Sequence, residues 1–166
     1  MEIENENKQY VISVLVENNA GVLRRVSNLF ARRCYNIDSL SVGRTENPDK
    51  SRITVVTFTN KQLVLQIKKQ LEKLVEILDV EILSKSQSVY RELVFIKIET
   101  NEHNRGEIIE LSKIFRARIV DVAGNSMIFE ITGDSGKVEA AINALAEYKI
   151  LEMTRTGLTA IRRGSK

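Results

Sequence analysis

Two α+β domains in tandem, each a small antiparallel sheet carrying two helices, are what this sequence predicts. Three observations lead there. The apolar residues recur with a strand period and then a helix period in a fixed order, and that order occurs twice. A polar stretch, Ser84-Lys85-Ser86-Gln87-Ser88, separates the two occurrences.

The first occurrence begins with Tyr10-Val11-Ile12-Ser13-Val14-Leu15-Val16, an alternating run of β-formers. Residues 20–33 follow as an amphipathic helix with Val22, Leu23, Val26, Leu29 and Phe30 on one face. A second strand is predicted over 37–44 and ends in the polar turn 45–50. Pro48, the only proline, sits in that turn between Asn47 and Asp49. Residues 52–59 are β-branched and read as the returning strand. A helix over 62–73 carries Leu63, Ile67, Leu71 and Leu74, and 78–83 is the last strand. The order β-α-β-β-α-β is the split βαβ, or ferredoxin-like, arrangement.

The second occurrence repeats it. Residues 92–99 alternate as a strand, and 105–115 read as a helix with Ile108, Leu111 and Phe115 on one face. Strands over 118–123 and 127–132 flank the turn Gly124-Asn125-Ser126. Ser135 is placed to cap a helix bearing Val138, Ala141, Ile142 and Leu145, and 150–162 supply a final extended segment. The division predicted is a polar extension 1–8, a first domain 9–84, a linker 85–88 and a second domain 89–166. A sheet with both helices on one face leaves its other face and edges open, and dimerisation closes such surfaces.

Composition excludes several classes. Of 166 residues, 43% are hydrophobic and 28% charged, which suits a globular chain. The net charge of +3 comes from 13 Lys and Arg against 11 Asp and Glu in residues 1–88, and 12 against 11 beyond. No basic block stands out, so no nucleic-acid partner is expected. The single cysteine, Cys34, excludes an internal disulfide or a cysteine-based zinc site. Residues 1–7 are polar and acidic, unlike a targeting peptide, and no apolar run spans a membrane, so a cytoplasmic protein is expected.

No catalytic or metal-binding set emerges. His103, the only histidine, lies in Asn101-Glu102-His103-Asn104-Arg105 and reads as a solvated loop residue. Gly133-Asp134-Ser135-Gly136-Lys137 fails as a phosphate loop, because the first glycine would fall at Ile131 and the hydroxyl residue at Val138. The strand at 52–58 has one late aromatic, Phe58, which excludes base stacking of the RNA-recognition type. The first loop has no cysteine pair for a copper ion.

That first loop, Glu17-Asn18-Asn19-Ala20-Gly21, instead joins a strand to the positive end of a helix dipole. Bare N–H groups there attract a small carboxylate. An ordinary turn capped by asparagine is the alternative reading. Asn18 and Asn36 could bind both ends of a zwitterion without adding charge, since each side chain offers an acceptor and a donor.

The motif Glu17-Asn18-Asn19-Ala20-Gly21-Val22-Leu23-Arg24-Arg25-Val26 and the segment Arg32-Arg33-Cys34-Tyr35-Asn36-Ile37-Asp38-Ser39-Leu40 resemble a known family. So do Phe115-Arg116-Ala117-Arg118-Ile119-Val120-Asp121-Val122 and Thr132-Gly133-Asp134-Ser135-Gly136-Lys137. Together they resemble the small regulatory subunit of acetohydroxyacid synthase (acetolactate synthase), whose N-terminal half is an ACT domain. The resemblance implies a chain that is not itself an enzyme and that activates a large catalytic subunit. It implies feedback inhibition by valine; one methylene discriminates too weakly to keep leucine and isoleucine from binding as well. Thiamine diphosphate, Mg²⁺ and FAD belong, on this resemblance, to the catalytic partner. The effector then sits where the first loop faces a neighbour in a homodimer or larger homo-oligomer. The residues carried over are Asn18, Ala20, Gly21, Val22 and Leu23, with Asn36 and Ile37 reaching the pocket from the second strand. Many relatives have glycine where this chain has Cys34, so the turn into Tyr35 is expected to differ. An ACT-like sensor serving another enzyme or transcription is the competing class; it would need a DNA-binding segment, and none fits outside residues 9–163.

Overall fold

The computed structural model describes residues 6–164. Most of the predicted 1–8 extension, and the tail residues Ser165 and Lys166, therefore lie outside the described residues. The chain forms β1 (Lys8–Glu17), α1 (Val22–Arg32), β2 (Ser39–Arg44), β3 (Lys50–Thr59), α2 (Lys61–Leu71) and β4 (Ile77–Leu83). After a 3₁₀ turn at Lys85–Gln87 come β5 (Ser88–Glu99), α3 (Arg105–Ile114), β6 (Arg118–Val122), β7 (Ser126–Gly133), α4 (Ser135–Leu145), β8 (Ile150–Arg155) and β9 (Thr159–Arg162). The α+β order read from the sequence is present twice.

In the first sheet the strands lie in the order β2-β3-β1-β4. β1 runs antiparallel to β3 from Lys8↔Thr59 to Glu17↔Lys50, and β2 pairs β3 from Ser39↔Val56 to Arg44↔Ser51. Ile12, Val14 and Val16 alternate onto the helix side and pack with Val22, Val26 and Phe30 of α1 and Val64, Ile67 and Leu71 of α2. The second sheet runs β6-β7-β5-β8, with β9 also paired to β5, and its core joins Val94, Ile96 and Ile98 to Ile108, Val138 and Leu145.

Three details depart from the sequence reading. Asp134, not Ser135, caps α4: its Oδ1 accepts the Lys137 N–H at 2.9 Å. The linker at 85–88 is a 3₁₀ turn followed directly by β5, which begins four residues ahead of the predicted 92. The final extended segment is two strands, separated where Gly157 takes φ +76°.

The two compact units are Met1–Val89 with Leu158–Lys166, and Tyr90–Gly157. The C-terminal segment thus belongs with the first unit, unlike the predicted 89–166 division. Leu158 and Ala160 are buried, Ser41 Oγ donates to Leu158 O at 3.0 Å, and the Leu158 N–H donates to Ser39 Oγ at 3.4 Å. Leu40 packs into the helix-side core, so its neighbours Ser39 and Ser41 point to the opposite face. The segment crosses that face as a strap, anchored by Arg162 on Glu81 at 3.4 Å.

Candidate functional site

Gly21 stands at the N-terminus of α1 with φ +89° and ψ −8°, a left-handed conformation that favours glycine. No side chain caps the helix. The asparagine cap considered from sequence is absent; only the Asn19 carbonyl approaches, accepting the Val22 N–H at 3.4 Å. Among the described residues, the N–H groups of Gly21, Leu23 and Arg24 have no hydrogen-bond partner outside the helix. A Cβ added at Gly21 would meet nothing within 4 Å, so the corner is open to solvent. Unsatisfied donors at the positive end of a helix make it an anion acceptor.

Asn18 fastens this corner to the β2–β3 turn. Its Nδ2 donates to Pro48 O at 2.9 Å, its Oδ1 accepts from Ser51 Oγ at 3.0 Å, and its N–H donates to Asp49 O at 2.8 Å. Ala20 and Leu23 are exposed, whereas Val22 is 5% exposed and faces the core. Val22 therefore supports the loop from below and offers it no contact surface.

Asn36 and Ile37 lie elsewhere. Asn36 Nδ2 donates to Asp38 Oδ1 at 2.8 Å, and its carbonyl accepts from Thr57 Oγ1 at 2.7 Å. Ile37 packs partly against the first core. Ser51, beside Asn18, and Thr57, beside Asn36, are separated by six residues of β3, roughly 20 Å at the rise of a strand. The sequence-predicted site residues thus form two clusters at opposite ends of α1 and β2, and one chain does not bring them together. The partners of Asn18 come from a turn thirty residues away, a tie that no local motif announces.

Cys34, the departure noted above, adopts φ +55°. The turn is kept: the Tyr35 N–H reaches Phe30 O at 3.0 Å, closing the helix as a glycine would. Tyr35 then meets Phe30 edge to face at 6.0 Å. His103 sits in an exposed turn where its backbone N–H donates to Asn101 Oδ1. Among the described residues no three His, Cys, Asp or Glu are grouped to hold a metal, and no helix is long and apolar enough to cross a membrane. The 133–137 segment, rejected as a phosphate loop, is a cap: Lys137 folds over Gly133 and its Nζ donates to Thr132 O at 2.8 Å.

Two family models match the chain. Residues 12–79 match an AHAS small subunit-like ACT domain, and residues 91–164 match the small subunit of acetolactate synthase. A probable acetolactate synthase small subunit from Archaeoglobus fulgidus is 50% identical over 158 residues, covering 95% of this chain and 99% of the relative. The acetolactate synthase small subunit of Mycolicibacterium smegmatis is 42% identical, covering 99% and 96%. The crystal structure of the Thermotoga maritima acetolactate synthase small subunit superposes with a TM-score of 0.88 at 40% identity, covering 96% and 99%.

Proposed function

Because the chain belongs to the family of acetolactate synthase small subunits, we propose that it activates a separate catalytic subunit and makes it sensitive to valine. Thiamine diphosphate, Mg²⁺ and FAD belong to that catalytic partner on this reading, and the condensation of 2-keto acids takes place there.

The observation that carries the reading is the separation of the two clusters along one edge strand. β2 is at the edge of its sheet. Antiparallel pairing of β2 with β2 of a second copy, about a two-fold axis, sets the Arg44 end of one against the Ser39 end of the other. Gly21 of one copy then comes beside Asn36 and Ile37 of its mate, and two equivalent pockets form per dimer. The N–H groups at Gly21, Leu23 and Arg24 take the carboxylate of valine. The Asn36 side chain takes its ammonium group, and Ile37 and Leu23 flank the isopropyl group.

Magnitudes suit a metabolite sensor. Two or three charge-assisted hydrogen bonds contribute about 1.5–3 kcal/mol each, and burial of the valine side chain adds roughly 1.5–3 kcal/mol. Immobilising the ligand offsets part of this. Micromolar to millimolar affinity, about −8 to −4 kcal/mol, follows. A methylene is worth about 1–3 kcal/mol, so leucine and isoleucine bind as well, with altered affinity. Inhibition arises because valine favours the dimer arrangement that couples less productively to the catalytic subunit.

Mixing the purified chain with an acetolactate synthase catalytic subunit and assaying acetolactate tests the reading. Activity is expected to rise on mixing and to fall again with valine. No change of activity on mixing would overturn it.

A further inference from the structure

The charge of the chain is not spread evenly in space. α1 and the residue after it carry Arg24, Arg25, Arg32 and Arg33 with no acidic residue. α2 and the turn after it carry Lys61, Lys68, Lys69 and Lys73 against Glu72 and Glu76. Eight cations face two carboxylates on one helix layer, a net +6 where the whole chain has +3. The even count along the sequence hid this layer, because the rest of residues 1–88 carries five cations against nine carboxylates and offsets it.

Between the helices runs an open groove of about 650 Å³. Its floor is Leu29 and Leu74, and Arg25, Arg32, Arg33 and Lys73 stand along its walls with Asn28 and Gln70. Arg25 is paired with Glu76, and Arg33 donates to the neutral Gln70 at 2.9 Å. Arg32, Arg33 and Lys73 meet no carboxylate among the described residues. A long basic surface with an apolar floor fits an extended acidic polypeptide, whose carboxylates the arginine forks bind pairwise while an apolar side chain enters between them. Nucleic acid fits it less well, since no exposed aromatic interleaves with these cations to stack a base.

We infer that the α1–α2 groove is a docking surface for an acidic segment of the catalytic subunit, separate from the Gly21 corner that senses the effector. This assignment rests on the regulatory-subunit reading above. Long-range charge steering then sets the rate of assembly, and the short-range arginine pairs set its lifetime. The effector site and the docking surface share α1, so a valine-dependent shift of that helix is felt directly at the groove.

The test is a charge reversal, Arg32→Glu with Lys73→Glu, in the full chain titrated against the catalytic subunit. Neither side chain has an acidic partner among the described residues, so the variant is expected to keep its fold by circular dichroism; Arg32→Gln with Lys73→Gln serves as the milder version. Half-saturation for activation is expected to move at least tenfold upward, and its dependence on salt to flatten, while valine binding to the free subunit stays as in the wild type. Reversal of Arg118, on β6 of the other unit, is expected to change neither. Unchanged half-saturation and salt dependence in both double variants would overturn the groove as a docking surface. So would binding of duplex DNA or RNA that the reversal abolishes without effect on the catalytic subunit. Failure of the wild-type chain itself to activate would instead overturn the regulatory reading, and with it this one.

Discussion

Cys34 and Arg116 hold the same place in the two halves of the chain. Each follows a helix with a left-handed φ, +55° and +52°, and each is succeeded by an N–H that reaches back to Phe30 O or Ser112 O. An L-residue in that conformation costs about 1–2 kcal/mol, part of which glycine returns to the unfolded chain as entropy. Cys34→Gly is therefore expected to leave stability unchanged or raise it by up to about 1 kcal/mol. Cys34→Val, β-branched, is expected to lower it by about 2 kcal/mol, and urea denaturation checks both. A second residue-scale case is Glu92, buried beside Arg155 at 3.0 Å with its other oxygen unpartnered. Burial acts to lower the Arg155 pKa, but hydrogen bonds and charge from Glu139 and Glu92 hold it above the ordinary arginine value. Arg155→Met strands the carboxylate and is expected to cost about 3 kcal/mol in thermal or urea unfolding. Adding Glu92→Gln is expected to restore part of the loss. The Glu92–Arg155 pair could not be read from the sequence, because the two residues meet only through the register of distant strands.

At the scale of elements, periodicity carried most of the fold. Alternation over 10–16 and the helical spacing of Val22, Val26 and Phe30 are local, and the structure has both. Boundaries slipped where two neighbouring residues could each do the same job. Asp134 and Ser135 are both good caps, and only the position of the Lys137 N–H selects Asp134. Asp134→Ala is expected to cost about 1 kcal/mol and to speed hydrogen exchange in the first turn of α4. The strap was illegible for a different reason. Residues 150–162 look extended throughout, and only long-range partners, the start of β5 and the hydroxyls of Ser39 and Ser41, decide where the last strand goes. On β2, Val42 is half exposed at the sheet edge. Val42→Asp places two carboxylates near the proposed two-fold axis. It is expected to shift the dimer toward monomer in analytical ultracentrifugation and to weaken valine binding in parallel.

For the whole molecule, the candidate site was only half legible. Its residues were named from a family resemblance, but sequence alone could not show that Asn18 and Gly21 lie at one end of α1 and Asn36 and Ile37 at the other. Under the proposed two-fold pairing the pocket lies between copies, as the resemblance implies, and dimerisation and effector binding are then one linked equilibrium. The most direct test is calorimetric titration of valine into the purified chain beside its Gly21→Asp variant. Aspartate tolerates the left-handed φ better than most residues, and its Cβ meets nothing at this position, so the variant is expected to fold with a carboxylate of its own seated at the helix start. The wild type is expected to bind one valine per chain with micromolar to millimolar affinity, and the variant to bind none while still activating the catalytic subunit. Wild-type affinity for valine in the Gly21→Asp protein would contradict the account.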